Sequence, residues 1–175
     1  MRLFHISEDP AITRFVPRAP LVQAGMPAVV WAVAEPRLWS YLLPRDCPRV
    51  LFHAGAGTTS ADCERYLLGD RAARVLAIET AWYQRCLTTP IYRYEFMPES
   101  FVLQDAPAHY YVATTEQIPI ACVPIANPLA ALIEDGVELR IMPTLWVLSD
   151  QICQSSLEWS CIRMRNATPR SSLAL

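Results

Sequence analysis

The alternation of apolar and polar residues predicts a series of short strands. Residues 91–96, IYRYEF, alternate most regularly, with aromatic side chains on one face. Further strand-like segments span residues 2–7, 28–34, 49–54, 73–80, 100–105, 109–114, 118–126 and 137–142. Pro119 and Pro124 interrupt the eighth of these nine segments, and proline is tolerated mainly in strands at the edge of a sheet.

Short helices are predicted between the strands, over residues 37–43, 61–69, 81–87, 128–135 and 144–165. In the fourth helix, Asn127 suits the N-cap, Pro128 the first helical position and Gly136 the end. Ser60 or Thr59 can cap the second helix. The apolar residues between Leu145 and Met164 recur at helical spacing and predict the fifth. No strand is followed by a long helix in a repeating unit. The pattern therefore predicts an α+β fold, mainly antiparallel, with one domain over residues 1–166 and a flexible tail over 167–175.

The composition excludes several classes of protein. The 175 residues are 53% hydrophobic and 18% charged, which excludes disorder for most of the chain. All fifteen basic residues are arginine, so a lysine Schiff base and a P-loop lysine are excluded. The net charge of −2 does not favour nucleic-acid binding. No segment reaches the roughly 18 apolar residues of a membrane helix, so no membrane contact is expected.

Six cysteines occur without any CxxC pair, at positions 47, 63, 86, 122, 153 and 161. This spacing does not fit a zinc site, and no metal is expected. The first residues, MRLFHISEDP, lack the apolar segment of a signal peptide. We therefore expect a cytoplasmic protein with reduced thiols.

Five segments together resemble a bacterial family of about this length, the domain-of-unknown-function family 6886. They are LFHISEDPAITRFVPR, VVWAV, YLLPRDCPRV, YRYEF and, near the C-terminus, SCIRMRNA. The resemblance covers nearly the whole chain and implies no chemistry.

A second, more distant resemblance concerns residues 1–125. The strand LFHIS, the segment VVWAVAEPRLWSYLL and the later strands from YRYEF to HYYVAT follow the order of the ADP-ribosyltransferase-like fold in its His-Tyr-Glu branch. The resemblance implies split sheets and NAD as the cofactor. It implies that His5 holds the ribose on the adenine side and that Trp31 and Tyr41 flank the nicotinamide.

The third motif departs from this pattern. The position of the catalytic Glu is occupied by Tyr110, which supplies no full negative charge at neutral pH. Glu95 or Glu79, each in a neighbouring strand segment, is a candidate replacement for the carboxylate. The departure predicts a weak or inactive NAD-dependent ADP-ribosyltransferase that still binds the nucleotide, and a protein is a candidate acceptor.

The chain contains no glycine-rich phosphate loop, so arginine is the expected partner of a pyrophosphate. Arg18 and Arg45 are the candidates, and Arg49 follows in the same proline-bounded turn, PRDCPR. A structural interpretation of this turn has Asp46 accepting backbone N–H bonds and pairing an arginine. Ser7 either caps the turn after the first strand or contacts the ligand.

Other interpretations stay open at this point. Cys47 lies between two arginines and is a candidate nucleophile, without a general base beside it in the sequence. Arg163 and Arg165 either face the end of the last helix, or one of them reaches into the pocket or pairs with Asp46. The alternative functions are a non-catalytic interaction protein and an enzyme like the RNA 2′-phosphotransferases, which would use Arg18, Arg45 and Arg49 together.

Overall fold

The computed structural model describes residues 1–19 and 27–170. The chain divides into two compact units, each built from two segments. The first unit combines Met1–Arg45 with Pro90–Ala126, and the second combines Asp46–Thr89 with Asn127–Leu175. None of the helices in the described ranges has the length and hydropathy to span a bilayer.

The first unit contains a six-stranded sheet in the order β6-β7-β2-β1-β5-β8, with antiparallel neighbours throughout. Its strands are β1 (Leu3–Ser7), β2 (Val30–Ala34), β5 (Ile91–Phe96), β6 (Val102–Asp105), β7 (Tyr110–Ala113) and β8 (Ala121–Ile125). Short 3₁₀ helices cover Glu35–Tyr41 and Pro98–Ser100. The strand β8, which contains Pro124, forms one edge of the sheet, as the sequence predicts.

One face of this sheet carries a hydrophobic core beneath the segment that follows β1. Its buried members are Leu3, Phe15, Val30, Ala32, Ala34, Tyr94, Phe96, Phe101 and Ala113. Phe15 contacts the rings of Tyr94 and Phe96 edge-on, at 5.2 and 5.0 Å between centroids. The Tyr94 hydroxyl donates to the Asp9 carbonyl at 2.7 Å and accepts from the Ile12 amide at 3.2 Å. These bonds fix the segment across the sheet.

The second unit contains a four-stranded sheet in the order β10-β3-β4-β9. Its strands are β3 (Arg49–His53), β4 (Arg74–Glu79), β9 (Val137–Met142) and β10 (Glu158–Ile162). The pair β4–β9 is parallel and the other two pairs are antiparallel. The α-helices are α1 (Ser60–Leu67), α2 (Tyr83–Thr88), α3 (Pro128–Glu134) and α4 (Trp146–Cys153), with 3₁₀ helices over Thr80–Trp82 and Met164–Asn166.

Both units confirm the predicted α+β class with mainly antiparallel strands. The caps are also as predicted. The Asn127 side chain accepts from the Ala130 amide, Thr59 accepts from the Asp62 amide, and Gly136 adopts a positive φ of 74° after α3.

The predicted helix over residues 144–165 is wrong. The helix α4 ends at Cys153, and Glu158–Ile162 form β10. Ser155 and Ser156 end the helix, because Ser155 Oγ donates to the Ile152 carbonyl and Ser156 bonds Asp62 through both its amide and its hydroxyl. A spacing of four residues fits either structure, since it is one helical turn and two strand repeats.

Residues 167–170, where the predicted tail begins, make specific contacts. Ala167 is buried, the Thr168 amide and hydroxyl both donate to Glu79, and the Trp146 indole N–H donates to the Thr168 carbonyl. Residues 171–175 lie outside the described residues.

Candidate functional site

The strands β1 and β2 separate at His5. Among the described residues they pair only at Leu3–Ala34 and Phe4–Val33, although each strand continues along its outer neighbour. Beyond this point β1 stays paired with β5 as far as Ser7, and β2 stays paired with β7 over the residues from Val30 onward. We call this separation the fork; His5 and Trp31 lie on its two sides.

The His5 side chain bridges the fork. Its Nδ1 lies 3.0 Å from the Trp31 carbonyl oxygen. Because a carbonyl only accepts, Nδ1 carries the hydrogen and Nε2 keeps its lone pair. Burial lowers the pKa of His5, the bond to Trp31 opposes this, and the charges of Arg45 and Arg18 lower the pKa further. At neutral pH His5 is therefore a neutral imidazole with Nε2 as an acceptor.

Two arginines flank the fork from different segments. Arg18 exchanges two backbone hydrogen bonds of 3.1 Å with Val29, directly before β2. The Arg45 amide donates to Glu8, the residue after β1, at 2.8 Å. Both arginine residues are exposed, and both act electrostatically on His5. The arrangement brings two positive charges to the open end of the fork. Glu8 was not among the site residues predicted from the sequence, where its only signal is its place directly after the first strand.

Three aromatic rings meet beside the fork. The Trp31 and Tyr110 rings are in edge-to-face contact with centroids 5.5 Å apart, and the Tyr41 ring lies 5.8 Å from that of Tyr110. Tyr41 ends the 3₁₀ helix that follows β2, and Tyr110 lies on β7 opposite Val33. All three are partly exposed. The structure thus brings together the three aromatic residues that the resemblance assigns to the nicotinamide end and the catalytic position.

His5 and the aromatic rings occupy opposite faces of the sheet. His5 pairs with Tyr94 across β1 and β5, and its ring lies 4.9 Å from that of Phe15 in the core. Trp31 alternates with Val30 and Ala32 of that same core, so its indole points to the other face. The two groups meet only at the fork, where the Trp31 main chain binds His5.

Ser7 has a structural contact. Its hydroxyl accepts from the Asp9 amide at 3.1 Å, and the Asp9 carboxylate accepts from the Ala11 amide at 2.8 Å. These two hydrogen bonds join residues two positions apart and stabilise the turn after β1. They favour the turn interpretation of Ser7.

Glu95 lies far from Tyr110. The register places Glu95, Phe4, Val33 and Tyr110 in one row across four strands, so three strand spacings, about 14 Å, separate the first from the last. Arg2 binds both Glu95 carboxylate oxygens at 2.9 Å and lowers the pKa of this carboxyl. Glu95 therefore does not replace a carboxylate at the position of Tyr110.

Glu79 belongs to the sheet of the second unit. Its carboxylate is fully buried and accepts from the Thr168 amide and hydroxyl at 2.9 and 3.0 Å and from the Leu145 amide at 3.4 Å. These bonds anchor the end of the described chain and the start of α4, which is a structural role.

The turn PRDCPR contains buried groups. Cys47 is fully buried with its sulfur 3.6 Å from that of Cys86, and this contact and burial raise the Cys47 pKa. A thiol held neutral is a poor nucleophile, so the structure argues against this role. Arg49 is only 3% exposed, and burial lowers its pKa to about 10. Arg163 lies 3.9 Å from the Asp46 carboxylate, in agreement with the pairing alternative.

No cluster of three or more potential metal ligands occurs within residues 1–19 and 27–170. The side chains that surround the fork are an imidazole, two guanidinium groups and, on the other face of the sheet, three aromatic rings.

These features define an α+β protein with a polar and aromatic fork in its six-stranded sheet. A family model described as a family of unknown function, DUF6886, matches residues 4–167. The chain belongs to this family, which confirms the first of the two resemblances. Neither the search of curated proteins nor the search of solved structures finds a match.

Proposed function

We propose that the first unit binds NAD or a related nucleotide at the fork, as an ADP-ribosyltransferase-like protein with weak or no transferase activity. The observation that carries the proposal is the fork itself. It opens the sheet between His5 and Trp31, the two residues that the resemblance assigns to opposite ends of the dinucleotide.

The polar part of the fork suits a ribose and a pyrophosphate. The Nε2 lone pair of His5 can accept a hydrogen bond from a ribose hydroxyl, because Nδ1 is already committed to the Trp31 carbonyl. Arg18 and Arg45 bring positive charge to the same place, and guanidinium groups bind phosphate oxygens in bidentate geometry. Glu8 helps to hold the Arg45 backbone in position.

The aromatic cluster of Trp31, Tyr41 and Tyr110 suits the nicotinamide. Its rings are partly exposed and offer planar surfaces on which a heteroaromatic ring stacks. Tyr110 supplies a hydroxyl at the position where the resemblance would place a catalytic carboxylate. A hydroxyl can orient a ribose but stabilises the developing ribosyl cation much less than a carboxylate does. Tight binding without efficient release of nicotinamide is the expected outcome.

The alternatives receive less support. An RNA 2′-phosphotransferase-like enzyme would use Arg18, Arg45 and Arg49 together, and Arg49 is only 3% exposed. A non-catalytic interaction protein fits the missing carboxylate, but it gives no role to the contact of Trp31, Tyr41 and Tyr110 beside the fork. We place the proposed nucleotide binding in the cytoplasm, where NAD is available.

The test is a thermal-shift titration of the whole chain with NAD, ADP-ribose and nicotinamide. A ligand at 100 times its Kd adds about 2.7 kcal/mol, which for a chain of this size raises Tm by roughly 5–10 °C. His5→Ala and Tyr41→Ala should abolish the NAD shift. His53→Ala, in the second unit, is the matched control and should preserve it.

A parallel assay measures nicotinamide release from NAD. The expected result is release near the uncatalysed rate, because Tyr110 lacks a full charge. Absence of any shift with all three ligands, or an equal shift in wild type and both fork variants, would refute nucleotide binding at the fork.

A further inference from the structure

The end of α4 and the strand β10 bring two thiols together. Cys153 is the last residue of α4, Cys161 is the fourth residue of β10, and their sulfurs lie 3.8 Å apart. A disulfide has a sulfur–sulfur distance of about 2.05 Å, so the two sulfurs need to approach by roughly 1.8 Å. A rotation about χ1 of either cysteine moves its sulfur by a distance of this order.

The pair Cys153–Cys161 differs in solvent exposure from a second pair of neighbouring thiols, Cys47 and Cys86. Cys153 is exposed and Cys161 is partly exposed. Cys47 and Cys86 are slightly closer, at 3.6 Å between sulfurs, but both are fully buried. A dissolved oxidant therefore reaches the first pair in the folded protein and is kept from the second.

The two thiols of the exposed pair have different surroundings. Cys161 lies 3.4 Å from the Ser149 hydroxyl, and burial raises its pKa to about 11. Cys153 lies at the surface, where an oxidant meets it first. The exposed Cys153 is placed to react first, as an attacking thiol, and the more buried Cys161 is placed to complete the disulfide, as a resolving thiol.

We propose that Cys153 and Cys161 form an oxidation site, at which a hydroperoxide converts the two thiols into an intramolecular disulfide. The Cys153 thiolate attacks one oxygen of the hydroperoxide, the O–O bond breaks, and Cys153 becomes a sulfenic acid while an alcohol or water leaves. The Cys161 sulfur then attacks the sulfenic sulfur, the S–S bond forms and water leaves with the Cys161 proton. The cysteines are oxidised by two electrons and the hydroperoxide is reduced.

The disulfide would link the end of α4 to the edge strand of the four-stranded sheet. It would close a short loop over residues 153–161 that contains the serines at which the helix ends. The site lies wholly within the second unit, so the inference is independent of the proposed nucleotide binding.

The test treats the native, fully reduced protein with hydrogen peroxide, blocks the remaining thiols with iodoacetamide and digests with trypsin. The chain has no basic residue between Arg140 and Arg163, so one peptide, residues 141–163, carries both cysteines. The expected product is this peptide with a mass lower by about 2 Da, two hydrogens, and without alkylation. Dithiothreitol should restore two alkylated cysteines.

Matched variants separate the proposal from general oxidation. Cys161→Ser should gain oxygen at Cys153 without forming the disulfide, and Cys122→Ser, which removes an exposed thiol elsewhere, should behave like the wild type. In the native protein, the disulfide in peptide 141–163 should form about tenfold or more faster than any link between Cys47 and Cys86. Circular dichroism checks that each variant is folded. Oxygen addition at Cys153 without loss of two hydrogens in the wild type, or a faster link between Cys47 and Cys86, would overturn the proposal.

Discussion

The buried carboxylate of Glu79 makes a quantitative prediction about the end of the chain. Its carboxylate is fully buried and accepts three hydrogen bonds, two of them from Thr168. Replacing Thr168 by valine removes the hydroxyl bond of 3.0 Å and keeps the amide bond of 2.9 Å, with a side chain of similar shape. The substitution therefore isolates one hydrogen bond to a buried charged group.

A hydrogen bond to a charged group contributes about 1.5–3 kcal/mol. For a chain of 150–250 residues, each kcal/mol corresponds to about 2–4 °C in Tm. Thr168→Val should therefore lower Tm by roughly 3–12 °C in thermal unfolding followed by circular dichroism at pH 7. Thr168→Ser keeps the hydroxyl and should retain most of the stability.

Thr88→Val is the matched control. The Thr88 hydroxyl donates to the Gln84 carbonyl on an exposed helix surface, where substitutions change stability by less than about 0.5 kcal/mol. If Thr168→Val and Thr88→Val lower Tm by the same small amount, the residues after 166 do not anchor Glu79, and the structural account of the chain end is refuted.

Three further predictions concern His5, Tyr94 and Leu68. The pKa of His5 in the folded protein lies below its ordinary value near 6.5, because burial disfavours the charged ring. The stability that the neutral ring contributes is therefore present above pH 6.5 and is lost as the pH falls below that value. NMR titration measures the His5 pKa, and a value at or above 6.5 would contradict the prediction. Tyr94→Phe removes two part-buried hydrogen bonds, to the Asp9 carbonyl and from the Ile12 amide. At about 0.5–1.5 kcal/mol each, their loss should cost about 1–3 kcal/mol in urea unfolding, whereas a cost below about 0.5 kcal/mol would contradict the bonding. Leu68 has a φ of 54° and an 83% exposed side chain, so Leu68→Gly should stabilise by about 0.5–1 kcal/mol, and a loss of stability would contradict this.

The sequence predicts most of the local structure correctly, because the signals are local. The caps at Asn127 and Thr59 depend on residues within one helical turn. The edge position of β8 agrees with the prolines at 119 and 124, of which Pro124 lies within the strand. The error over residues 144–165 has a physical reason, since the bonds that end α4 run from Ser156 to Asp62, a residue 94 positions away.

The division into two units is not visible in the sequence as a boundary. Each unit is assembled from two separate segments, so no single change of composition marks a junction. The chain passes from one unit to the other at residues 45–46, 89–90 and 126–127.

The sequence predicts most residues of the candidate site but not how they are arranged in space. The spacing from Trp31 to Tyr41 follows from a strand running directly into a short helix, and the structure brings both rings to Tyr110. The fork depends on where β1 stops pairing with β2, and strand register is a long-range property. The separation of Glu95 from Tyr110 by two intervening strands follows from the same register and was not predictable from sequence spacing.

The most direct test of nucleotide binding at the fork is isothermal titration calorimetry with ADP-ribose at neutral pH, comparing the wild type with Arg18→Met and Arg14→Met. Both arginines lie in the segment between β1 and β2, but Arg18 flanks the fork whereas Arg14 pairs with Glu116. Loss of a charge-assisted bond of about 1.5–3 kcal/mol corresponds to a roughly 10- to 150-fold weaker Kd. If ADP-ribose binds at the fork, Arg18→Met shows this weakening and Arg14→Met keeps the wild-type affinity. Failure of the wild type to bind ADP-ribose, or equal affinity in all three proteins, would contradict binding at the fork.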